Sequence, residues 1–249
     1  MKLILRADDL GFSEGINYGI YKTVKDGLIS CVGMMPNMEA AAHGYTLVKN
    51  ICSCIGQHTN LCVGKPLTEA CFIPSLVQAN GEFYTSKEIR NRSQDTIVVA
   101  EAELEIEAQL QRFIEITGKK PDYFEGHAIF SPNFFSALKN VAKRHHLFYC
   151  NPVEKTFIQT YGIQCADFYH LDNKGLYDIE KYIYEDEAKL KNKECAVLVF
   201  HPGYLDQYVI EHSSYTFIRP METAFLCTDK FKQYIADNEI EIIDFHAFQ

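Results

Sequence analysis

Short apolar runs alternate with amphipathic stretches along most of this chain. "KLILRAD" at the N-terminus is compact and apolar, bounded by charge, as a strand buried on both faces reads. Ser13 then stands where a helix cap belongs, ahead of "EGINYGIYKTVKDG", with Gly27 to close it. "LISCVGMMP" predicts a second strand, "MEAAAHGYTLVKN" a helix, and "ICSCIGQHTNL" a third strand with its exit loop. Residues 62–94 carry no strong periodicity and read as a long excursion with a hairpin at "NGEFY", of the kind that lines a site. A long helix over residues 95–117 follows, its apolar positions at helical spacing and Gly118 at its end.

The second half continues the alternation. "KKPDYFEGH" predicts a strand, "NFFSALKNVAKRH" a helix and "HLFYCNP" a strand. "CADFYHL" reads as a strand and "GLYDIEKYIYEDEAKLKN" as a helix. "CAVLVFHPG" is the clearest strand of this half; "RPMETAFLCTDKFKQYIADN" reads as one helix and "IEIIDF" as a closing strand. Repeated β–α units with modest loops imply an α/β fold with a mainly parallel sheet, best matched by a TIM-like (β/α) barrel, with a doubly wound sheet as the alternative. No linker or repeat divides residues 1–249, so one domain is expected.

Composition narrows the function classes. The 249 residues are 47% hydrophobic, enough for a sizeable core, and no run approaches a membrane span. The N-terminal apolar stretch is too short for a signal peptide, and a soluble cytoplasmic protein is expected. A net charge of −9 lacks the basic stripe of a nucleic-acid binder. Nine cysteines, an odd number at scattered positions, read as reduced thiols rather than a disulfide framework. Cys52, Cys54 and Cys62 lack the paired C-x-x-C spacing of a zinc cluster.

The ends of the predicted strands hold the chemistry, where parallel α/β folds place their sites. The first ends in Asp8 and Asp9, the third in His58 and Asn60, the fourth in Glu125 and His127, and the late strand in His201. One carboxylate and two imidazoles form a facial set for a divalent cation. A second carboxylate can take a proton from water, and a further His can give one to a leaving group. That combination describes metal-assisted hydrolysis.

"ADDLG", "GQHTNL", "PDYFEGH" and "FHPG", in that order, resemble the YdjC/ChbG-type carbohydrate deacetylases, relatives of the polysaccharide deacetylases. "YTFIRPMETAFL" resembles the Arg-x-x-Glu helix start of the same family. The resemblance implies a (β/α) barrel, distorted or incomplete, and removal of N-acetyl groups from amino sugars or small oligosaccharides. It implies one divalent ion, Mg²⁺ or Zn²⁺, held by Asp9, His58 and His127. Asp8 becomes the general base and His201 the general acid, with the roles of Asp8 and Asp9 interchangeable at this level. Arg219 is expected to orient Asp8 or contact substrate, and Tyr204 and Asn60 to contact substrate. The implied partner is an acetylated sugar, with neither nucleic acid nor membrane; the resemblance is compatible with a homodimer. One motif departs from the family's Asp-Ser-His-x-His-x-x-His: here "EGHAIFSP" puts Glu125 for the Asp and Ile129 where a second His would stand. Two alternatives remain from the residues: a metal-dependent hydrolase of another bond such as a phosphoester, for which only Arg6, Lys65 and Arg219 supply cations, and a non-catalytic sugar-binding protein.

Overall fold

The computed structural model describes residues 1–249. Seven strands form one parallel sheet: β1 (Lys2–Leu10), β2 (Cys31–Met34), β3 (Cys54–Thr59), β4 (Phe124–Gly126), β5 (Ile163–Cys165), β6 (Cys195–Phe200) and β7 (Glu241–Ile243). Their order is β4-β3-β2-β1-β6-β5, and β7 pairs with Lys2–Ile4 at the start of β1, below the point where β2 joins at Arg6. The sheet curls into an incomplete barrel. Between β4 and β5 the wall is carried only by the 148–152 segment, through Phe124 N–H to Phe148 O at 2.9 Å and Cys165 N–H to Pro152 O at 3.1 Å. The expected strand at "HLFYCNP" is therefore reduced to an isolated bridge at Tyr149.

Ten α-helices surround the sheet: α1 (Glu14–Asp26), α2 (Ala41–Val48), α3 (Ser86–Arg90), α4 (Val99–Thr117), α5 (Pro132–His145), α6 (Lys155–Tyr161), α7 (Ile179–Tyr184), α8 (Gln207–His212), α9 (Ile218–Leu226) and α10 (Asp229–Asp237). None is long and apolar enough to cross a membrane. The α9–α10 stretch, expected as one helix, breaks at Cys227–Thr228, where the Thr228 side chain accepts the Phe231 N–H and starts a new helix. Likewise α7 covers only part of the helix expected over 175–192, and β5 lies ahead of "CADFYHL", sharing only Cys165 with it.

Strand alternation sorts the side chains. Leu3, Leu5 and Ala7 pack outward against Ile16 and Ile20 of α1 and Phe225 and Leu226 of α9. Ile4 points inward, into a core it shares with Tyr123, Val197, Phe245 and four thiols, Cys31, Cys54, Cys150 and Cys195. All nine cysteines are unpaired, and Cys52, Cys54 and Cys62 fall in three separate apolar clusters, so no zinc cluster joins them. Gly56 has no room for a side chain: a Cβ there would lie 2.5 Å from the Tyr123 ring, which fills the barrel at that level.

Candidate active site

The first strand delivers both carboxylates to one side by breaking its own alternation. Regular strands send consecutive side chains to opposite faces. Here Ala7 pairs with Val32 but Leu10 with Met34, so three residues of β1 oppose two of β2. The bulge falls on Asp8–Asp9, and Asp9 takes the left-handed conformation, φ +75°. Such a backbone costs an Asp on the order of 1 kcal/mol, which the surroundings must impose. They do so through the next turn. Gly11, at φ +99°, lies so close to Ala41 that a Cβ would be 2.8 Å from its Cα. Asn17, fully buried in α1, accepts the Gly11 N–H at 2.7 Å and donates to Ala40 O at 2.9 Å.

Asp9, His58 and His127 then converge. His58 Nε2 lies 3.3 Å from Asp9 Oδ1 and 2.8 Å from His127 Nδ1, and His127 Nδ1 lies 3.2 Å from Asp9 Oδ1. Donors about 2.1 Å from one ion, at right angles, stand roughly 3.0 Å apart, so the triangle has the dimensions of one face of a metal's coordination shell. Asp9 Oδ1 is buried with no hydrogen-bond partner of its own. Its other oxygen accepts from Arg219 Nη2 at 2.9 Å, which fixes the carboxylate. His58 Nδ1 is bonded to Glu125 Oε1, so Nε2 is the nitrogen that faces the triangle. The donor set of two nitrogens and one oxygen suits Zn²⁺ and similar transition ions better than Mg²⁺.

Electrostatics keeps these groups poised. Burial alone would raise the Asp9 carboxyl, but Arg219 and His127 overcome it and hold it well below the usual range. Burial would lower His58, yet Glu125 and Asp8 raise it well above an ordinary imidazole. His127 is pushed up to about 9, because Asp9 and Cys62 outweigh its burial.

Asp8 sits beside the triangle and outside it. Its Oδ2 accepts from Arg6 Nη2 at 2.7 Å and lies 4.0 Å from His58 Nδ1. Its Oδ1 is buried and unpartnered, over the bare face of Gly33. Arg6, two residues earlier on the same face of β1, also reaches Glu125 Oε2 at 3.5 Å.

His201 closes the group from β6. Its ring meets the Tyr215 ring edge-on at 5.1 Å, and its Nδ1 is 3.5 Å from the Tyr169 hydroxyl. Enclosure by protein pushes the imidazole down to about 4. Three residues on one face of α9 clamp its loop: Arg219 Nη1 donates to His201 O at 3.4 Å, Glu222 accepts the His201 N–H, and Thr223 Oγ1 accepts the Gly203 N–H at 2.8 Å. Glu222 also accepts from Tyr177 Oη at 2.9 Å, and burial raises its carboxyl to about 7.

One expectation changes here. Arg219 orients Asp9 and not Asp8: it is 2% exposed and donates to Asp9, Ser213 Oγ, Tyr215 O and His201 O. Arg6 holds Asp8 instead; its spacing of two from Asp8 was the available signal. Asn60 is fully buried and shapes its own loop, accepting Cys62 and Val63 N–H and donating to Val63 O. Tyr204 is exposed over the head of α1, its N–H bonded to Gly15 O, and makes none of the bonds within the cluster.

Comparison with known proteins places the chain in a family. The profile described as YdjC-like protein matches residues 2–237. The chain belongs to the YdjC-like family. A relative named carbohydrate deacetylase 2, from Listeria innocua serovar 6a, is 31% identical, covering 99% of this chain and 98% of its own. A chitooligosaccharide deacetylase of Proteus mirabilis is 28% identical, with 96% of each chain covered. Among solved structures, a candidate cellobiose-phosphate cleavage protein of Enterococcus faecalis V583 superposes with a TM-score of 0.82 at 21% identity, over 99% of this chain and 98% of that one, which shows a shared fold.

Gly33 is the least conspicuous part of this site. A Cβ there would lie 2.7 Å from Asp8 Oδ1 and 3.1 Å from His58 Cβ. Gly33→Ala is therefore expected to displace both side chains and weaken any divalent-ion binding at the triangle by about tenfold or more, the range seen when groups that orient ligands are disturbed. Calorimetric titration of the metal-free protein measures this; an unchanged affinity would show that the site has slack the geometry does not suggest.

Proposed function

We propose that the chain is a metal-dependent carbohydrate deacetylase, hydrolysing the N-acetyl amide of an amino sugar to acetate and a free amine. The observation that carries this reading is the Asp9–His58–His127 triangle with the free oxygen of Asp8 beside it. Relatives named carbohydrate deacetylase over nearly the full length support the choice of bond.

A divalent ion held by Asp9, His58 and His127 supplies positive charge against a carbonyl oxygen and acidifies water. The protein's own groups do the rest. Asp8 takes the proton of the attacking water at Oδ1, its other oxygen anchored by Arg6. Arg219 keeps Asp9 oriented and ionised throughout. His201, neutral at rest with its imidazole near 4, relays to the departing nitrogen the proton that Asp8 took from water, as the C–N bond breaks. Phosphoester hydrolysis is less well supported, because Arg6 and Arg219 are both buried and committed to carboxylates, leaving neither free for a phosphate.

The test is acetate release from N-acetylglucosamine and its β-1,4-linked oligomers by the purified chain. Stripping with a chelator is expected to abolish release, and Zn²⁺ or Co²⁺ to restore it. A metal-replete protein that frees no acetate from any acetylated sugar would overturn the reading. Metal affinity should also depend on pH in a defined direction. Without metal His127 holds a proton up to about pH 9 and His58, raised well above an ordinary imidazole, holds one too, and binding must expel both. Apparent affinity should therefore tighten by about a hundredfold per pH unit between 6 and 8, measured by competition with a chelating dye.

A further inference from the structure

Two exposed phenylalanines flank the candidate site from opposite sides of the open seam. Phe130 lies three residues beyond His127 and is 67% exposed, although Ile129 and Ser131 on either side of it are buried. Its loop is pinned: Asp95 Oδ2 accepts Ser131 Oγ–H at 2.7 Å and Asn133 N–H at 3.0 Å. Phe168 follows β5, is 65% exposed, and is the chain neighbour of Tyr169, whose hydroxyl reaches His201. The two rings meet edge to face, centroids 6.3 Å apart at 84°, and Phe135 supports Phe130 from the other side at 6.1 Å.

The pair is thus held at the rim, one ring tied to a proposed metal ligand and the other to the proposed proton donor. Each edge-to-face contact covers at most one face of one ring, and both residues keep most of their surface in solvent. A flat apolar surface beside a polar centre matches the C–H face of a pyranose, whose hydroxyls point outward around the ring. We infer that Phe130 and Phe168 form a stacking subsite for the sugar next to the one being deacetylated, so that the preferred substrate has at least two linked rings. This inference rests on the deacetylase reading for the position of the first ring; the stacking itself can be measured without turnover.

The experiment compares N-acetylglucosamine with its β-1,4-linked dimer, using the whole chain loaded with Zn²⁺. Phe130→Ala and Phe168→Ala are each expected to raise KM for the dimer about tenfold, with kcat changed less than about threefold and the monomer's parameters within about twofold. Phe168→Tyr, which keeps the ring, should behave as the unaltered protein. Equal losses on monomer and dimer, or no loss on the dimer, would overturn the subsite. Calorimetry of dimer binding separates the two readings. If the unaltered chain binds the dimer but releases no acetate, hydrolysis fails, and the subsite stands only if Phe130→Ala weakens that binding about tenfold. If the unaltered chain does not bind the dimer, the subsite is wrong.

Discussion

Asp8→Asn is expected to lower kcat for acetate release by about 10³-fold while leaving one metal ion bound per chain. Asn is nearly the same shape and still accepts from Arg6, but it cannot take a proton from water. The loss corresponds to about 4 kcal/mol of transition-state stabilisation. Asp9→Asn should fail differently. It removes the charge from the triangle and leaves the buried Arg219 guanidinium without its carboxylate, so metal affinity itself should fall by on the order of 10²-fold or more. The two side chains are adjacent in sequence, yet their partners separate them: Asp9 meets both imidazoles and Asp8 meets Arg6. Metal content by atomic absorption beside kcat decides the matter. Metal loss in Asp8→Asn with retention in Asp9→Asn would reverse the assignments. A protein that only binds sugar would keep its affinity in Asp8→Asn and show no turnover to lose.

Much of this site was legible because strand ends can be read locally. His58, His127 and His201 each follow an apolar run, and the structure gathers all three around the end of β1. The parallel sheet was equally plain from alternating periods. What escaped is whatever depends on partners remote in the chain. Asp9 and Arg219 are separated by 210 positions, and no local pattern says which of two adjacent carboxylates the arginine will choose. The bulge is a further case: a strand with consecutive acids reads as sending them to opposite faces, and only the register against β2 reveals the extra residue. The seam is another. "HLFYCNP" has strand composition, but it pairs with β4 through a single bridge and runs on toward β5 as irregular chain. The α9–α10 break was missed because its signal, Thr228 as a cap, sits inside an uninterrupted amphipathic pattern.

Arg6→Met should destabilise the fold by about 3–5 kcal/mol, the cost of leaving buried carboxylates without their cation. Arg6 is 6% exposed and is the only guanidinium paired with Asp8 and Glu125, both of which are buried too. For a chain of this length, a change of that size lowers Tm by roughly 6–20 °C. The effect should grow with pH. In the unaltered protein burial would raise the Glu125 carboxyl, but Arg6 and His58 overcome it and hold it below its usual value. A depressed folded-state carboxyl contributes stability that is present above its unfolded pKa and disappears on acidification. With Arg6 gone, the burial that favours the neutral acid is opposed by His58 and His127 alone, and the Glu125 carboxyl is expected to rise above its usual value. The variant should therefore lose stability as pH rises past about 4.5, where the unfolded carboxyl ionises. Denaturant midpoints of metal-free protein at pH 5 and pH 8 should show a wider gap between the two proteins at pH 8. A second change, Glu125→Gln in the Arg6→Met background, removes one of the stranded charges and should recover part of the loss and flatten the pH dependence. If the gap is the same at both pH values, the damage comes from lost packing over the Tyr123 ring, 5.8 Å from the guanidinium carbon, and the electrostatic account of Arg6 is wrong.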